Sequence, residues 1–353
     1  METKNYSTLQ VSSAPHLVTT FDTQKTMLTV LIALIPALCV SIYEFGPRVL
    51  ALTIVCIGFS VLFEAGWNKL FHKEQTVQDC SAMLTGTLIA YNVPASMPYW
   101  MAIIGCFVAI IIVKQLYGGI GRNFANPAIV ARIVLFVSFA NQMNSWPLAK
   151  GAGGTYTPLS LIGKTVGVDT TTGATPLGAL GDALKAADTP ANADLSALPD
   201  NLQMFLGDIG GSVGEISAIA LLIGGAFLVW RKVISPIIPC CFVATVFVIA
   251  FLYYSVTGGP GGYSALEMAI FHICAGGVML GAIFMATDYV TSPIMPLGKV
   301  IMGIGCGFFT MVIRLWAAYP EGVSFSILLM NIMTPHIDNL CIRLTYGGGK
   351  KND

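Results

Sequence analysis

Long apolar stretches separated by short polar, glycine-bearing or proline-bearing turns set the pattern of this chain. They fall at about 27–44, 48–66, 83–93, 98–117, 125–140, 213–230, 237–257, 266–287, 297–318 and 324–340. A helix needs roughly 20 mostly apolar residues to cross a hydrocarbon core, so nearly all of these runs are long enough or almost so. The third is the short one: Met83 to Val93 is about eleven residues, so it either extends back through Asp79 or is re-entrant behind its neighbours. The pattern therefore predicts an all-α integral membrane fold of about ten transmembrane helices.

Composition agrees and excludes the main alternatives. Of 353 residues, 55% are hydrophobic and 10% charged, whereas soluble domains carry roughly 25% charged residues. A soluble enzyme with a solvated shell is excluded, and so is a disordered chain, which needs high charge and few apolar residues. Eighteen basic and eighteen acidic residues cancel, leaving no basic surface for nucleic acid. The nine cysteines include no Cys-x-x-Cys pair and lie mostly within apolar runs, so neither a zinc site nor a cysteine-ligated cluster is expected and no metal ligands are assigned. The first twenty residues are polar and mixed, with Pro15 and His16 before any apolar run. No cleavable signal peptide is expected, and the first span must itself insert.

Basic residues then orient the spans. With ten crossings, twelve of the eighteen (Lys4, Lys25, Lys69, Lys73, Lys114, Arg122, Arg231, Lys232, Lys299, Arg343, Lys350 and Lys351) share one side. By the positive-inside rule both termini are cytoplasmic and residues 141–212 form an extracytoplasmic loop. The chain divides into an N-terminal five-helix half (1–140), that loop (141–212) and a C-terminal five-helix half (213–353). Because five is odd, homologous halves must be an inverted repeat, an arrangement that places transporter sites near the midplane. Met83-Leu84 before Gly86 and Met279-Leu280-Gly281 match across the halves, each followed by a proline-bearing break, Pro94 and Pro98 against Pro293 and Pro296.

The long loop holds six aspartates and many Gly, Thr, Ala and Pro residues, and loops of this length are usually functional or disordered. Within it lies Asp169-Thr170-Thr171-Thr172-Gly173-Ala174-Thr175-Pro176-Leu177. Taken alone this is either a Thr/Gly linker or an open hydroxyl, Thr175, flanked by small residues and fixed in direction by Pro176, where a modifying enzyme has access.

The string Asp169-x-x-Thr172-Gly173-Ala174-Thr175 resembles the flavinylation motif in which the last threonine is esterified to the phosphate of FMN by a flavin transferase. Ser13-Ala14-Pro15-His16, Met27 to Ala37 and the run Gly118-Gly119-Ile120-Gly121-Arg122-Asn123-Phe124-Ala125-Asn126-Pro127-Ala128 extend the likeness over most of the chain. These residues resemble the RnfD family of Rnf electron transport complexes, which is related to the B subunit of Na⁺-translocating NADH:quinone oxidoreductase. Thr172 replaces the family's more usual serine and keeps its hydroxyl. The resemblance implies a bacterial or archaeal inner-membrane flavoprotein with FMN covalently held at Thr175. It also implies electron relay within a complex that couples ferredoxin and NAD⁺ to Na⁺ or H⁺ translocation. Implied partners are the other membrane and peripheral subunits, the flavin transferase during maturation, and lipid. The NAD and ferredoxin sites are expected on those subunits, since this chain has no dinucleotide fingerprint or cluster ligands, and no catalytic residue is assigned to it.

Several polar groups lie within or beside spans, where charge is costly and usually functional. Asn126 reads as an N-cap with Pro127 at the first helical position, or as a half-helix terminus facing a second flavin or a substrate anion. Arg132 reads as an internal salt bridge or carbonyl contact, or as part of a site for a second, non-covalent flavin such as riboflavin or of an ion path. Glu64, Glu267, Asp288 and Arg314 lie near predicted span ends where snorkelling is expected, Asp338 lies within the last run, and Asp288 and Asn92 mark paired breaks. His272 reads as a hydrogen-bonded core histidine, with haem disfavoured for want of a facing partner. A competing functional class is a secondary transporter or channel for a small solute; a third is a structural scaffold.

Overall fold

The computed structural model describes residues 22–147, 172–173, 175–186, 194–195, 198–207, 209–317 and 321–346. Both chain tails, Asp169 and Ala174 lie outside the described residues. The helices are α1 (Thr23–Phe45), α2 (Arg48–Leu70), α3 (Ser81–Tyr91), α4 (Tyr99–Gln115), α5 (Pro127–Ser138), α6 (Ala140–Met143), α7 (Pro176–Ala186) and α8 (Asn201–Leu206). They continue with α9 (Ala218–Trp230), α10 (Ile237–Thr257), α11 (Ala265–Cys274), α12 (Val278–Met285), α13 (Pro296–Trp316) and α14 (Val323–Tyr346). A two-residue antiparallel ladder pairs β1 (Trp146–Pro147) with β2 (Thr172–Gly173).

Five of these helices, α1, α2, α10, α13 and α14, are long and apolar enough to cross a membrane, and the bent pair α11–α12 makes six. At 1.5 Å per residue a 21- to 24-residue helix covers roughly 32–36 Å, the scale of a bilayer core. Large apolar side chains such as Ile32, Ile54, Leu62, Val248 and Ile332 point outward, which in an all-α membrane protein is the surface that lipid covers. α3, α5 and α9 are shorter apolar helices of 11, 12 and 13 residues.

Local signals explain most boundaries. Asn126 caps α5 through its side-chain oxygen, which accepts from Ala128 N, with Pro127 in the first turn. Ser217 caps α9, and Ser264 with Glu267 forms a capping box on α11. The last part of α4 is wound more loosely, with Leu116 N donating to Ile111 O at 3.0 Å; in α12, Ala286 N likewise donates to Gly281 O at 2.7 Å. Such five-residue steps are rare in helices and recur where function bends them.

The run 266–287, continuous by hydropathy, is broken. α11 and α12 meet at 61°, hinged at Gly276, whose φ of +67° favours glycine. The run predicted from 213 becomes helical only at Ala218, because Ser212 bridges to Pro94 and residues 213–215 form a turn held against the break after α3: Val213 N donates to Val93 O at 3.2 Å and Gly214 N to Tyr91 O at 2.8 Å.

Two ends of the bundle are pinned by polar contacts. At one, Arg48 Nη2 donates to the Ser96 and Met97 carbonyls at 2.9 and 3.2 Å; this is the end of residues 141–147. At the other, Lys114 Nζ reaches Glu64 Oε1 at 2.8 Å and Ser81 Oγ at 2.7 Å, joining α4, α2 and α3.

Small residues let helices touch. A Cβ on Gly224 of α9 would lie 2.2 Å from the Ala33 carbonyl oxygen of α1, and one on Gly86 of α3 would lie 2.7 Å from the Cys56 carbonyl oxygen of α2. Backbone on the far side cannot yield as a flexible side chain can. Gly224→Val is expected to lower stability by about 1–3 kcal/mol, read as a lower thermal midpoint in detergent. Gly58→Ala on α2, with nothing within 4 Å of the new methyl, leaves that midpoint unchanged or raises it.

Candidate functional site

Residues from before 133 and after 211 meet at a junction, a buried polar cluster. Arg132, on α5, is buried, and its Nη1 donates to Glu215 Oε1 at 2.6 Å and to Asn92 Oδ1 at 2.8 Å. Its Nη2 pairs with Glu321 Oε2 and donates to Ser212 Oγ at 3.4 Å. Asn92, at the end of α3, donates to Leu88 O at 2.6 Å. Asn126 Nδ2 donates to Met285 O at 3.2 Å, which ties the start of α5 to the end of α12. With the Asn331 amide oriented to satisfy both neighbours, its oxygen accepts from Asn126 N at 3.2 Å. Gly277 makes room for this cluster, since a Cβ there would lie 2.5 Å from Glu215 Oε1.

Above the junction, at the end of residues 141–147, opens a cavity of about 560 Å³. Its lining includes Thr175, Leu177, Asp182 and Lys185 from the α7 region, Tyr254 from α10, His272 from α11, Arg314 from α13, and Glu321. Thr175 stands just before α7, its Oγ1 accepting from Gly178 N at 3.1 Å and its carbonyl accepting from Ala179 N at 2.8 Å. Arg314 uses Nη1 and Nη2 to hold the His272 and Ala275 carbonyls at 2.5 and 2.8 Å, satisfying carbonyls left open where α11 stops. Its Nε is buried with no partner among the described residues. His272 Nε2 lies 3.0 Å from Tyr254 Oη, while its Nδ1 is buried with no partner among the described residues. A Cβ on Gly276 would lie 2.8 Å from Leu177 Cδ1 and 3.0 Å from Arg314 Nη2, so the hinge of α11–α12 borders the cavity on one side and the Arg132 cluster on the other.

A second, smaller cavity of about 100 Å³ lies toward the opposite end, lined by Ser81, Thr85, Lys114, Asn123, Asn126 and Asp288 among others. Burial raises the Asp288 carboxyl above the usual range, opposed by hydrogen bonds from Thr291, Val290 and Tyr289.

These placements sort the sequence expectations. Asn126 is an N-cap, and Arg132 is an internal salt bridge; both border polar ground between the cavities. Glu64 does not snorkel: it is buried, and its Oε1 also accepts from Thr76 Oγ1 at 2.7 Å and Gln115 Nε2 at 3.2 Å. Lys114 is likewise buried beside it rather than facing water. Arg314 caps helix carbonyls, Glu267 belongs to an exposed capping box, and Asp338 accepts from Ile294 N at 3.2 Å. Thr175, expected as an open hydroxyl, is 8% exposed, because its oxygen caps the α7 backbone while the residue lines the cavity. Of the rest of the motif, Thr172 and Gly173 pair with Pro147 and Trp146 through the backbone, and Asp169 and Ala174 lie outside the described residues. Glu215, Glu321 and Tyr254 join the site without having been singled out by sequence. The available signal is an acidic residue at 215, between Val213 and the next apolar run. Among the described residues no three His, Cys, Asp or Glu side chains gather as a metal site.

Apolar helices packed around a buried polar cluster define a multi-pass membrane protein, and sequence comparison gives its family. Residues 10–347 match the NQR2, RnfD, RnfE family, and the chain belongs to it. It is 44% identical to the D subunit of the Na⁺-translocating ferredoxin:NAD⁺ oxidoreductase complex of Acetobacterium woodii, over 97% of this chain and 96% of that protein. It is 38% identical to the D subunit of the proton-translocating ferredoxin:NAD⁺ oxidoreductase complex of Clostridium ljungdahlii, covering 96% of each. Identity to the D subunit of the ion-translocating oxidoreductase complex of Stutzerimonas stutzeri is 37%, over 92% of each.

Removing Arg132 strands one buried carboxylate, Glu215, and one half-buried one, Glu321. Arg132→Leu is expected to cost about 3–5 kcal/mol, measured by denaturant titration of the detergent-solubilised protein, and the added changes Glu215→Gln and Glu321→Gln together recover part of that loss.

Proposed function

We propose that this chain is the flavin-bearing electron-relay subunit of an ion-translocating ferredoxin:NAD⁺ oxidoreductase complex, with FMN joined through its phosphate to Thr175 Oγ1. The observation that carries the reading is the position of Thr175, at the N-terminus of α7 and on the wall of a cavity of about 560 Å³. Helix N-termini favour phosphate, and ligand cavities span roughly 300–1,000 Å³, so the site suits both ends of FMN. Tyr254, His272 and Arg314 line the cavity and give its wall aromatic and polar character suited to a heteroaromatic ring.

When bound, the flavin supplies one- and two-electron chemistry. The chain holds the phosphate at Thr175, lines the ring site with Tyr254, His272 and Arg314, and closes the floor with the Arg132 cluster. A covalent tether removes dissociation, so a loop retains the cofactor without a deep phosphate pocket. The flavin transferase reaches Thr175 before residues 172–173 pair with 146–147, or while that ladder is open.

Ten crossings in two inverted halves complete the proposal, with α3, α5, α9 and α11–α12 as the shorter or broken members, both termini cytoplasmic and residues 141–212 outside. The distribution of lysine and arginine supports this topology, as does the meeting of the breaks after α3 and before α9. The smaller cavity beside Asn126, at about 100 Å³, is too small for a second, non-covalent flavin, and Arg132, committed to Glu215, Glu321 and Asn92, is structural.

Co-expressed with a flavin transferase, the wild-type chain is expected to carry an FMN-sized mass increment and to fluoresce in gels, and Thr175→Val loses both. An unmodified wild-type Thr175 peptide contradicts the proposal, and solute uptake by such colourless protein in liposomes favours the transporter reading.

A further inference from the structure

Between cavity and junction stands one carboxylate that belongs to both. Glu321 lines the cavity and pairs with Arg132. Of the three ionised side chains joined there, Arg132 is 7% exposed and Glu215 3%, whereas Glu321 is 16% exposed. Glu215 and Glu321 share a single guanidinium, and Glu321 is the member that water in the cavity reaches. The groups facing it are Arg132 on α5, Glu215 before α9, and Arg314 on α13, with Tyr254 of α10, His272 of α11 and Asp182 and Lys185 of α7 lining the same cavity.

Resting on the flavin reading above, we infer that Glu321 is a redox-linked proton site: when an electron enters the cavity, its carboxylate takes one proton from water on that face, and it returns the proton when the electron leaves. The electron comes from the complex's own ferredoxin-to-NAD⁺ chain. The bond formed is a carboxyl O–H and the bond broken is an O–H of hydronium, so one negative and one positive charge arrive together and the cluster's charge sum is unchanged. Beside the buried Arg132–Glu215 pair this compensation matters, because an uncompensated charge interacts strongly at low dielectric. Glu215, deeper and fixed by Arg132, keeps the guanidinium paired while Glu321 is neutral.

The electrostatics of the resting site agree. Burial, and next the charge of Glu215, push the Glu321 carboxyl up to about 7 against the pull of Arg132 and Arg314. It is therefore poised to bind a proton near neutral pH when further negative charge appears.

The test is a redox titration of the flavin in the purified complex across neutral pH, with reduced-minus-oxidised infrared spectra, in wild type, Glu321→Gln and Glu321→Asp. Wild type is expected to show a carboxylic C=O band that grows on reduction and shifts in D₂O, and a midpoint potential falling more steeply with pH than in Glu321→Gln. If the electron raises the site's proton affinity tenfold, the difference between acid and alkaline limits is about 59 mV. Glu321→Gln removes the band, and Glu321→Asp keeps a band at altered frequency, which preserves the test if the glutamine variant misfolds. With the FMN mass increment present, unchanged bands in both variants and parallel pH profiles overturn this inference and leave the flavin reading intact. A missing mass increment in wild type overturns both.

Discussion

A guanidinium inside an apolar bundle is tolerable only when its charge and donors are met, and Arg132 meets that condition with groups from distant parts of the chain. Glu215 is 83 residues away and Glu321 is 189. Satisfying one side chain therefore requires that α5, the break after α3, the segment before α9 and the start of α14 converge on one spot. Stability is not the main return, since buried ion pairs often gain little over apolar packing. What the pairing fixes is geometry: α5 cannot turn or slide without stranding a charge.

That constraint shapes the cavity. Glu215 needs space, and Gly277 provides it; Gly276 turns the chain with a positive φ, and α11 ends with open carbonyls that Arg314 covers. The same few residues thus close the junction beneath and line the chamber above. Thr175 enters from the loop as the cap of α7, with Leu177 packed near the hinge. The wall beside Thr175 is continuous with the ion cluster, so under the proposed function a cofactor tethered there would be coupled to the middle of the bundle.

Much of this is legible from hydropathy alone. The ten apolar runs correspond to helices or helix pairs, and Asn126-Pro127 announces the start of α5 because a cap and an N1 proline are local signals. The break at Gly276-Gly277 lies inside a continuous apolar run, and that Gly277 leaves room for Glu215 follows only from the fold. For the same reason a charged side chain at 132 shows that partners must exist but not that they are Glu215 and Glu321. Lys114 and Glu64 read as interfacial residues because each lies near a run's end, whereas the structure buries them against each other. Thr175 stands out through its motif; that it lines a chamber follows only from the fold.

The position of the cofactor decides most directly whether the chamber serves as described. A density map of the intact complex, at a resolution that separates side chains, is predicted to show density continuous from Thr175 Oγ1 through a phosphate to a planar ring in the chamber bounded by Tyr254, His272 and Arg314. A ring seated elsewhere, with that chamber filled by residues of the loop, would contradict it.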